Sequence, residues 1–152
     1  MMQPVLEFVC EIHCELSSPV DVGVTPTGLR RIVDILAGTF TGPSLRGTIR
    51  AGGADWQAVR ADGVVELQAH YVLLTDDGVL IQVKNRGLRH GSEDVLRRIA
   101  EGYPVDAQEY YCRTTPVFEA PQGKYDWLNR SVFAAAAERS ASSICLHVYR
   151  VA

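Results

Sequence analysis

From Val5 to Leu16 the chain alternates: Leu6, Phe8, Cys10, Ile12, Cys14 and Leu16 fall on one face of an extended segment, and Glu7, Glu11, His13 and Glu15 on the other. A period of two prepares one face for a core and the other for water, which is the signature of a half-buried β-strand. Extended runs of this kind recur along the chain between glycine and proline punctuation, and nothing else in the sequence restricts the fold as strongly. After "SSPVDVGVTPTG", the run "LRRIVDILAGTF" reads as a second strand. "TGPSLRGTIR" reads as a third, with Leu45, Gly47 and Ile49 opposed to Ser44, Arg46, Thr48 and Arg50. The turn "RADG" leads into a fourth from Val64 to Thr75, and "TDDG" marks a hairpin into a fifth, "VLIQVKN", because Asp-Gly readily takes the positive φ of a tight turn.

"GSEDVLRRIAEG" predicts the one helix. Ser92 can cap it, Glu93 and Asp94 suit its positive end, Arg97 and Arg98 its negative end, Val95, Leu96 and Ile99 form an apolar stripe, and Gly102 can stop it. Three more extended runs follow: "AQEYYCRTTPVF", "WLNRSVFAAAAER" and "ICLHVYRV". The alanines Ala134 to Ala137 are read as strand because so short a run is a marginal helix by itself. Eight strands and one short helix predict an all-β chain, a single antiparallel β-barrel or else a sandwich. The barrel is preferred because closure removes exposed sheet edges. No repeat or linker divides residues 1–152, and a chain of 152 residues buries roughly two-thirds of its unfolded surface, so one domain is expected.

A net charge of -3 and the lack of a basic face argue against a nucleic-acid partner. "MMQPVLEFVCEIHCEL" has no basic leader and carries Glu7 and Glu11. No stretch reaches the about 20 apolar residues of a membrane span, so no membrane partner is expected. Cys10, Cys14, Cys112 and Cys145 lack C-x-x-C pairing, which points to reduced thiols in a cytoplasmic protein. His13, His90 and His147 show no ligand spacing, so neither a metal nor any other cofactor is expected.

Candidate chemistry gathers at a few places. In "GGADWQ" the glycines are expected to turn Asp55 and Trp56 sharply off the third strand, either into the barrel mouth or merely as a turn with a plugging indole. Glu66, Gln68 and His70 share a face of the fourth strand, opposite Leu67, Ala69, Tyr71 and Leu73. His70 is a general acid or base if that face looks inward, and part of a solvated edge if it looks out. Arg113 can clamp an anion or form a structural ion pair. In "KYDWLNR" the aromatics Tyr125 and Trp127 can stack a flat ligand and Asn129 can orient it, or they form a lid.

Four blocks, "SPVDVGVTPTGLRRIVDILAGTFTGPSLRGTIRAGGADWQ", "HYVLLTDDGVLIQVKNRG", "YYCRTTPVFEAPQGKYDWLNRSVFAAAAER" and the closing "VYRV", resemble the family known as domain of unknown function 3237, or uncharacterised protein family 0311. The resemblance covers nearly the whole chain. It implies an antiparallel barrel of calycin-like or allene-oxide-cyclase-like form. It carries over Asp55, Trp56, Tyr71, Arg113, Glu119, Tyr125, Trp127, Asn129 and Arg130 as matching positions, without settled roles. Gln68 and His70 stand where the family pattern leads one to expect Asp and Arg, and Cys112 stands where an aromatic is common.

The expectation is therefore a small-molecule-binding barrel, and in particular an enzyme without a cofactor that acts as an isomerase, cyclase or lyase in secondary or aromatic-compound metabolism. Asp55, His70 and Arg113 would be catalytic, while Trp56, Tyr71, Glu119, Tyr125, Trp127, Asn129 and Arg130 would bind substrate. The alternative is a non-catalytic carrier or sensor. A homo-oligomer, specifically a dimer, is the expected assembly.

Overall fold

The computed structural model describes residues 2–152. Its strands are β1 (Leu6–Leu16), β2 (Val20–Thr25), β3 (Gly28–Thr41), β4 (Gly47–Val59), β5 (Val65–Thr75), β6 (Leu80–Gly91), β7 (Tyr110–Glu119), β8 (Val132–Arg139) and β9 (Ser143–Val151), with one helix, α1 (Glu93–Ala100), between β6 and β7. All neighbours are antiparallel in the order β1-β9-β8-β7-β6-β5-β4-β3-β2, and a further pairing of β1 with β3 closes eight strands into a barrel. The expected barrel is what forms. No helix among the described residues is long and apolar enough to cross a membrane.

The ninth strand, β2, lies outside the closed wall and pairs with the half of β3 that runs past the end of β1. Its sequence hid it. Pro19 and Pro26 bracket it, Gly23 sits at φ +109° where the register slips, and Val20, Val22 and Val24 are exposed, so no buried face advertised a strand.

Alternation sets the interior. Cys10, Ile12, Cys14 and Leu16 point inward as expected, but Leu6 and Phe8 do not. The β1–β9 register shifts between Phe8 and Cys10, and Val9 is buried instead, because one inserted residue reverses every side chain beyond it. Phe40, Phe133, Leu73, Ile81, Val83 and Val148 fill the lumen below, with Phe118 meeting Phe133 edge-on at 4.9 Å between centroids.

Helix α1 forms as expected. Ser92 Oγ accepts from the Val95 N–H at 3.1 Å, Val95 and Ile99 are buried, and Gly102 at φ +88° follows the last turn. Three expectations of local structure are corrected. "GGADWQ" is not a corner: β4 runs straight through it, with Gly52 at φ +109° in a bulge where the β4–β5 register changes between Arg50 and Ala54. "AQE" (107–109) and "DWLNR" (126–130) are short 3-10 turns, not strand, so the expected alternation of Trp127, Asn129 and Ser131 against Leu128 and Arg130 does not occur. Asp106 drives the first of these turns by accepting from the Gln108 N–H at 2.9 Å.

Candidate active site at the α1 end of the barrel

Inward positions change character as the strands approach the helix. On β6 the buried Ile81 and Val83 are continued on the same face by Asn85 and Arg89, and on β8 Phe133, Ala135 and Ala137 are continued by Arg139. Arg31 continues the face of Ile35 and Val33 on β3, while β4 adds Asp55 and Gln57, β5 adds Tyr71 and β7 adds Thr114. Arg89 is only 6% exposed and Gln57 3%, so groups that ordinarily seek water sit inside the wall.

Asp55 is held at both oxygens. The Gln57 side-chain N–H donates to Oδ2 at 2.8 Å, and the backbone N–H of Gln68 donates to Oδ1 at 2.8 Å. Gln57 is oriented in turn by Arg31, whose Nε donates to Oε1 at 2.7 Å. Burial raises the Asp55 carboxyl above the ordinary carboxylate range. The two hydrogen bonds and the charges of Arg89 and Arg139 pull it down without cancelling that effect.

The arginines repel one another. Burial and then the Arg89 charge lower Arg31, and burial followed by Arg89 and Arg31 brings Arg139 down to about 10. None of the three forms an ion pair among the described residues, whose ion pairs lie elsewhere on exposed or half-exposed side chains. One carboxylate facing three guanidinium groups leaves surplus positive charge in a low-dielectric place, where unpaired charge is costly. The Tyr71 hydroxyl, Asn85 Oδ1 and Thr114 Oγ1 are also buried with no hydrogen-bond partner among the described residues. Each such group costs about 1–3 kcal/mol.

These groups line two adjoining spaces. The deeper, about 40 Å³, lies among Asp55, Tyr71, Asn85, Arg89, Thr114 and Arg139. The outer, about 190 Å³, shares Gln57, Arg89 and Arg139 with it, adds Arg31, and is walled by Leu96, Ile99 and Ala100 of α1. The deeper space is small enough for only a few atoms of a ligand, and Leu16, Ile35, Leu67, Ile144 and Leu146 complete its walls. Such a site can hold an oxyanion with its arginines while a protonatable carboxyl lies alongside.

Of the residues singled out from sequence, the structure brings only Asp55 and Tyr71 together here. Trp56, 49% exposed, and Arg113 lie on the outer face. Arg113 sits 5.7 Å from the Tyr111 ring centroid and donates to the Cys112 carbonyl at 2.9 Å. With Glu66, Gln68, Arg86 and Tyr111 they line an open groove of about 980 Å³. Larger than either inner space, this groove shares Thr114 with the lumen but has none of the clustered Asp55, Arg89 and Arg139. His70 also faces outward, 3.4 Å from Gln82 Oε1.

The remaining candidates lie at the far end of the barrel. Tyr125 donates its hydroxyl to Asp77 Oδ1 in the β5–β6 hairpin at 2.7 Å, Trp127 packs 6.3 Å from Phe133, and Asn129 clamps both the N–H and the carbonyl of Ala120 at 2.8 Å. Glu119 is exposed at the end of β7, and Arg130 is exposed and pairs with Asp126 at 3.4 Å. Sequence reasoning missed Arg31, Gln57, Asn85, Arg89, Thr114 and Arg139. For Arg31, Asn85, Arg89 and Arg139 the signal was a polar residue continuing an apolar face past its last hydrophobic member, whereas Thr114 interrupts the face of Tyr110, Cys112, Pro116 and Phe118.

Comparison with known proteins agrees with this architecture. A UPF0311 protein of Rhodopseudomonas palustris is 37% identical over 152 residues, covering 99% of each chain. A crystal structure of a conserved protein of unknown function from that organism superposes with a TM-score of 0.96 at 34% identity over 100% of both chains. A β-barrel-like protein from Acinetobacter baumannii gives 0.87 at 36% identity, covering 100% of this chain and 98% of that one. A structure described as an enzyme from Penicillium herquei shares the fold at 0.74 and 19% identity, covering 100% and 97%. The family model described as "Protein of unknown function (DUF3237)" matches residues 4–151, and the chain belongs to that family.

Proposed function

We propose that this chain is a small-molecule enzyme that moves a proton on a substrate bearing a carboxylate or an enolisable carbonyl at the α1 end of the barrel. The observation that carries the reading is a half-buried, raised carboxyl at Asp55 set among three arginines without ion pairs and three orphaned polar atoms. Perturbed titratable groups in a cleft mark functional sites more often than structural ones. Arg89 and Arg139 would hold the oxygen on which negative charge develops, a preorganised electrostatic contribution that water cannot match. Asp55 would take or give the proton, and its raised pKa suits that exchange near neutrality better than an ordinary aspartate. Isomerisation, cyclisation and elimination all begin with such a step. The flat part of a larger substrate would lie outside the deeper space, toward α1.

The test is solvent-deuterium exchange at carbon next to a carbonyl, followed by proton NMR with pyruvate, acetoacetate and phenylpyruvate as probes. Asp55→Asn should lose about 100-fold or more of the exchange rate with its circular dichroism unchanged. Arg89→Met should weaken saturation by the same probes. Absence of exchange with every probe, together with no thermal stabilisation by any of them, would sink the proposal.

A second reading has its own observation. The outer groove, with Trp56, Tyr111 and Arg113 at its surface, fits a carrier or sensor that binds an aromatic anion without changing it. Saturable binding lost in Trp56→Ala but retained in Asp55→Asn would favour that reading.

A further inference from the structure

On the outer face of the β1–β9 seam, antiparallel register sets Glu11 directly opposite His147, and His13 directly opposite Cys145. Two i, i+2 pairs that are far apart in sequence thus become a square of four ligand-type side chains on one surface. Cys145 Sγ lies 3.0 Å from Glu11 Oε1 and 3.9 Å from His147 Nε2, and the ligand atoms of these three residues all fall within 4.8 Å of one another. A tetrahedral zinc with bonds of about 2.0–2.3 Å places its ligand atoms roughly 3.3–3.6 Å apart. The three spacings among Glu11, Cys145 and His147 lie close to that figure, while His13 is placed beside them by its register opposite Cys145 and stands outside the 4.8 Å group. Glu138 of β8 lies opposite Cys145 on its other side and adds a further carboxylate to the field.

We infer that Glu11, Cys145 and His147, with His13 as the fourth ligand, form a binding site for a soft divalent cation of the zinc type. The thiol, imidazole and carboxylate donors match that metal's preferences. A bound cation would itself stabilise the Cys145 thiolate, and the Glu11 and Glu138 carboxylates would add to the negative field that attracts the cation. The other three cysteines are buried in the core and cannot compete for the metal.

The site is separate from the Asp55 cavity. Leu146, between Cys145 and His147, points into the core, so the ligands project from the opposite side of the wall. Its consequence is mechanical: a metal across β1 and β9 ties the first strand of the chain to the last, next to the β1–β3 pairing that closes the barrel.

The test uses the full chain, stripped with a chelator and titrated with zinc chloride and separately with cobalt chloride. One equivalent of zinc should bind and raise the melting temperature, and cobalt should show the near-ultraviolet charge-transfer band of a thiolate ligand. Cys145→Ser should abolish that band, and both Cys145→Ser and His147→Ala should weaken zinc binding at least about tenfold, while His90→Ala leaves it unchanged. No thiolate band in the unaltered chain, or zinc affinity equal in Cys145→Ser, would overturn the assignment. Circular dichroism of each variant separates loss of the ligand from loss of the fold.

Discussion

Tyr71→Phe is the perturbation on which the reading of the lumen turns. The ring is 3% exposed, and its hydroxyl has no hydrogen-bond partner among the described residues. Burial drives the phenol well above its ordinary range, with Cys14, Cys10 and Asp55 adding to the effect. Phenylalanine keeps the ring and removes only the unpaired oxygen. A buried hydroxyl without a partner costs about 1–3 kcal/mol, so its removal should raise unfolding free energy by about 1 kcal/mol or more. In a chain of this length that corresponds to about 2–4 °C in melting temperature per kcal/mol. The matched control is Tyr125→Phe, which deletes a hydroxyl that donates to Asp77 at 2.7 Å and should lower the melting temperature. Thermal and urea unfolding by circular dichroism measure both. Opposite signs support a lumen that carries unmet polar groups in readiness for a ligand. If Tyr71→Phe loses stability as Tyr125→Phe does, the Tyr71 hydroxyl is satisfied in solution and that reasoning fails.

Further outcomes follow from single positions. Gly53→Ala would place a Cβ 2.5 Å from Tyr71 Cβ and 2.7 Å from the His70 carbonyl, so β4 and β5 must part, and a loss of about 1–3 kcal/mol should appear in urea unfolding. Asp77 is held down at about 2 from 3.8 by the Thr75 and Tyr125 hydroxyls, so its contribution to stability is present above pH 3.8 and lost as pH falls through about 2. Asp77→Asn should flatten that acid limb in melting temperature against pH. Asp55, shifted upward, behaves oppositely: stability falls as pH climbs from 3.8 through its native value and levels off above it. Arg89→Met removes the stronger of the two positive charges that lower Asp55, so the acid limb of any pH–rate profile should move to higher pH, and an unmoved limb would detach Asp55 from Arg89.

Much of the barrel was legible because alternation is a local signal and strand punctuation is chemical. Ser92, Asp76-Asp77-Gly78 and the Cys10 to Leu16 face each specify their structure within a few residues. What escaped was set by register. The bulge at Phe8/Cys10 turned two apolar residues outward, and the glycines of "GGADWQ" kept a strand intact while changing its register. Those glycines made a corner look natural, because positive φ serves a bulge as readily as a turn. Asp55 was legible as a candidate residue, yet its surroundings were not. Arg31, Arg89 and Arg139 come from three strands distant in sequence, and each reads alone as an ordinary surface arginine. Only closure of the wall turns them inward together.

That closure is also unequal along the barrel. Toward the apolar end, β3 is flanked by β1 through the pairs from Leu16 with Ile35 to Glu11 with Thr41. Past Ile35 the flank passes to β2, an edge strand with a bulge of its own and exposed valines. Arg31 lies on that less supported half, and Pro19 lines the outer space beside it. A wall segment with few buried apolar contacts opens at lower free energy than the core strands. The 20–32 hairpin is therefore the expected way in for a substrate that cannot pass through the packed far end. Hydrogen exchange should be fastest at 20–29 in the free protein and slow there when a substrate or carboxylate probe is bound. Uniform protection across β2 and β4 in the free protein would place the entrance elsewhere, with α1 as the remaining cover over the arginines.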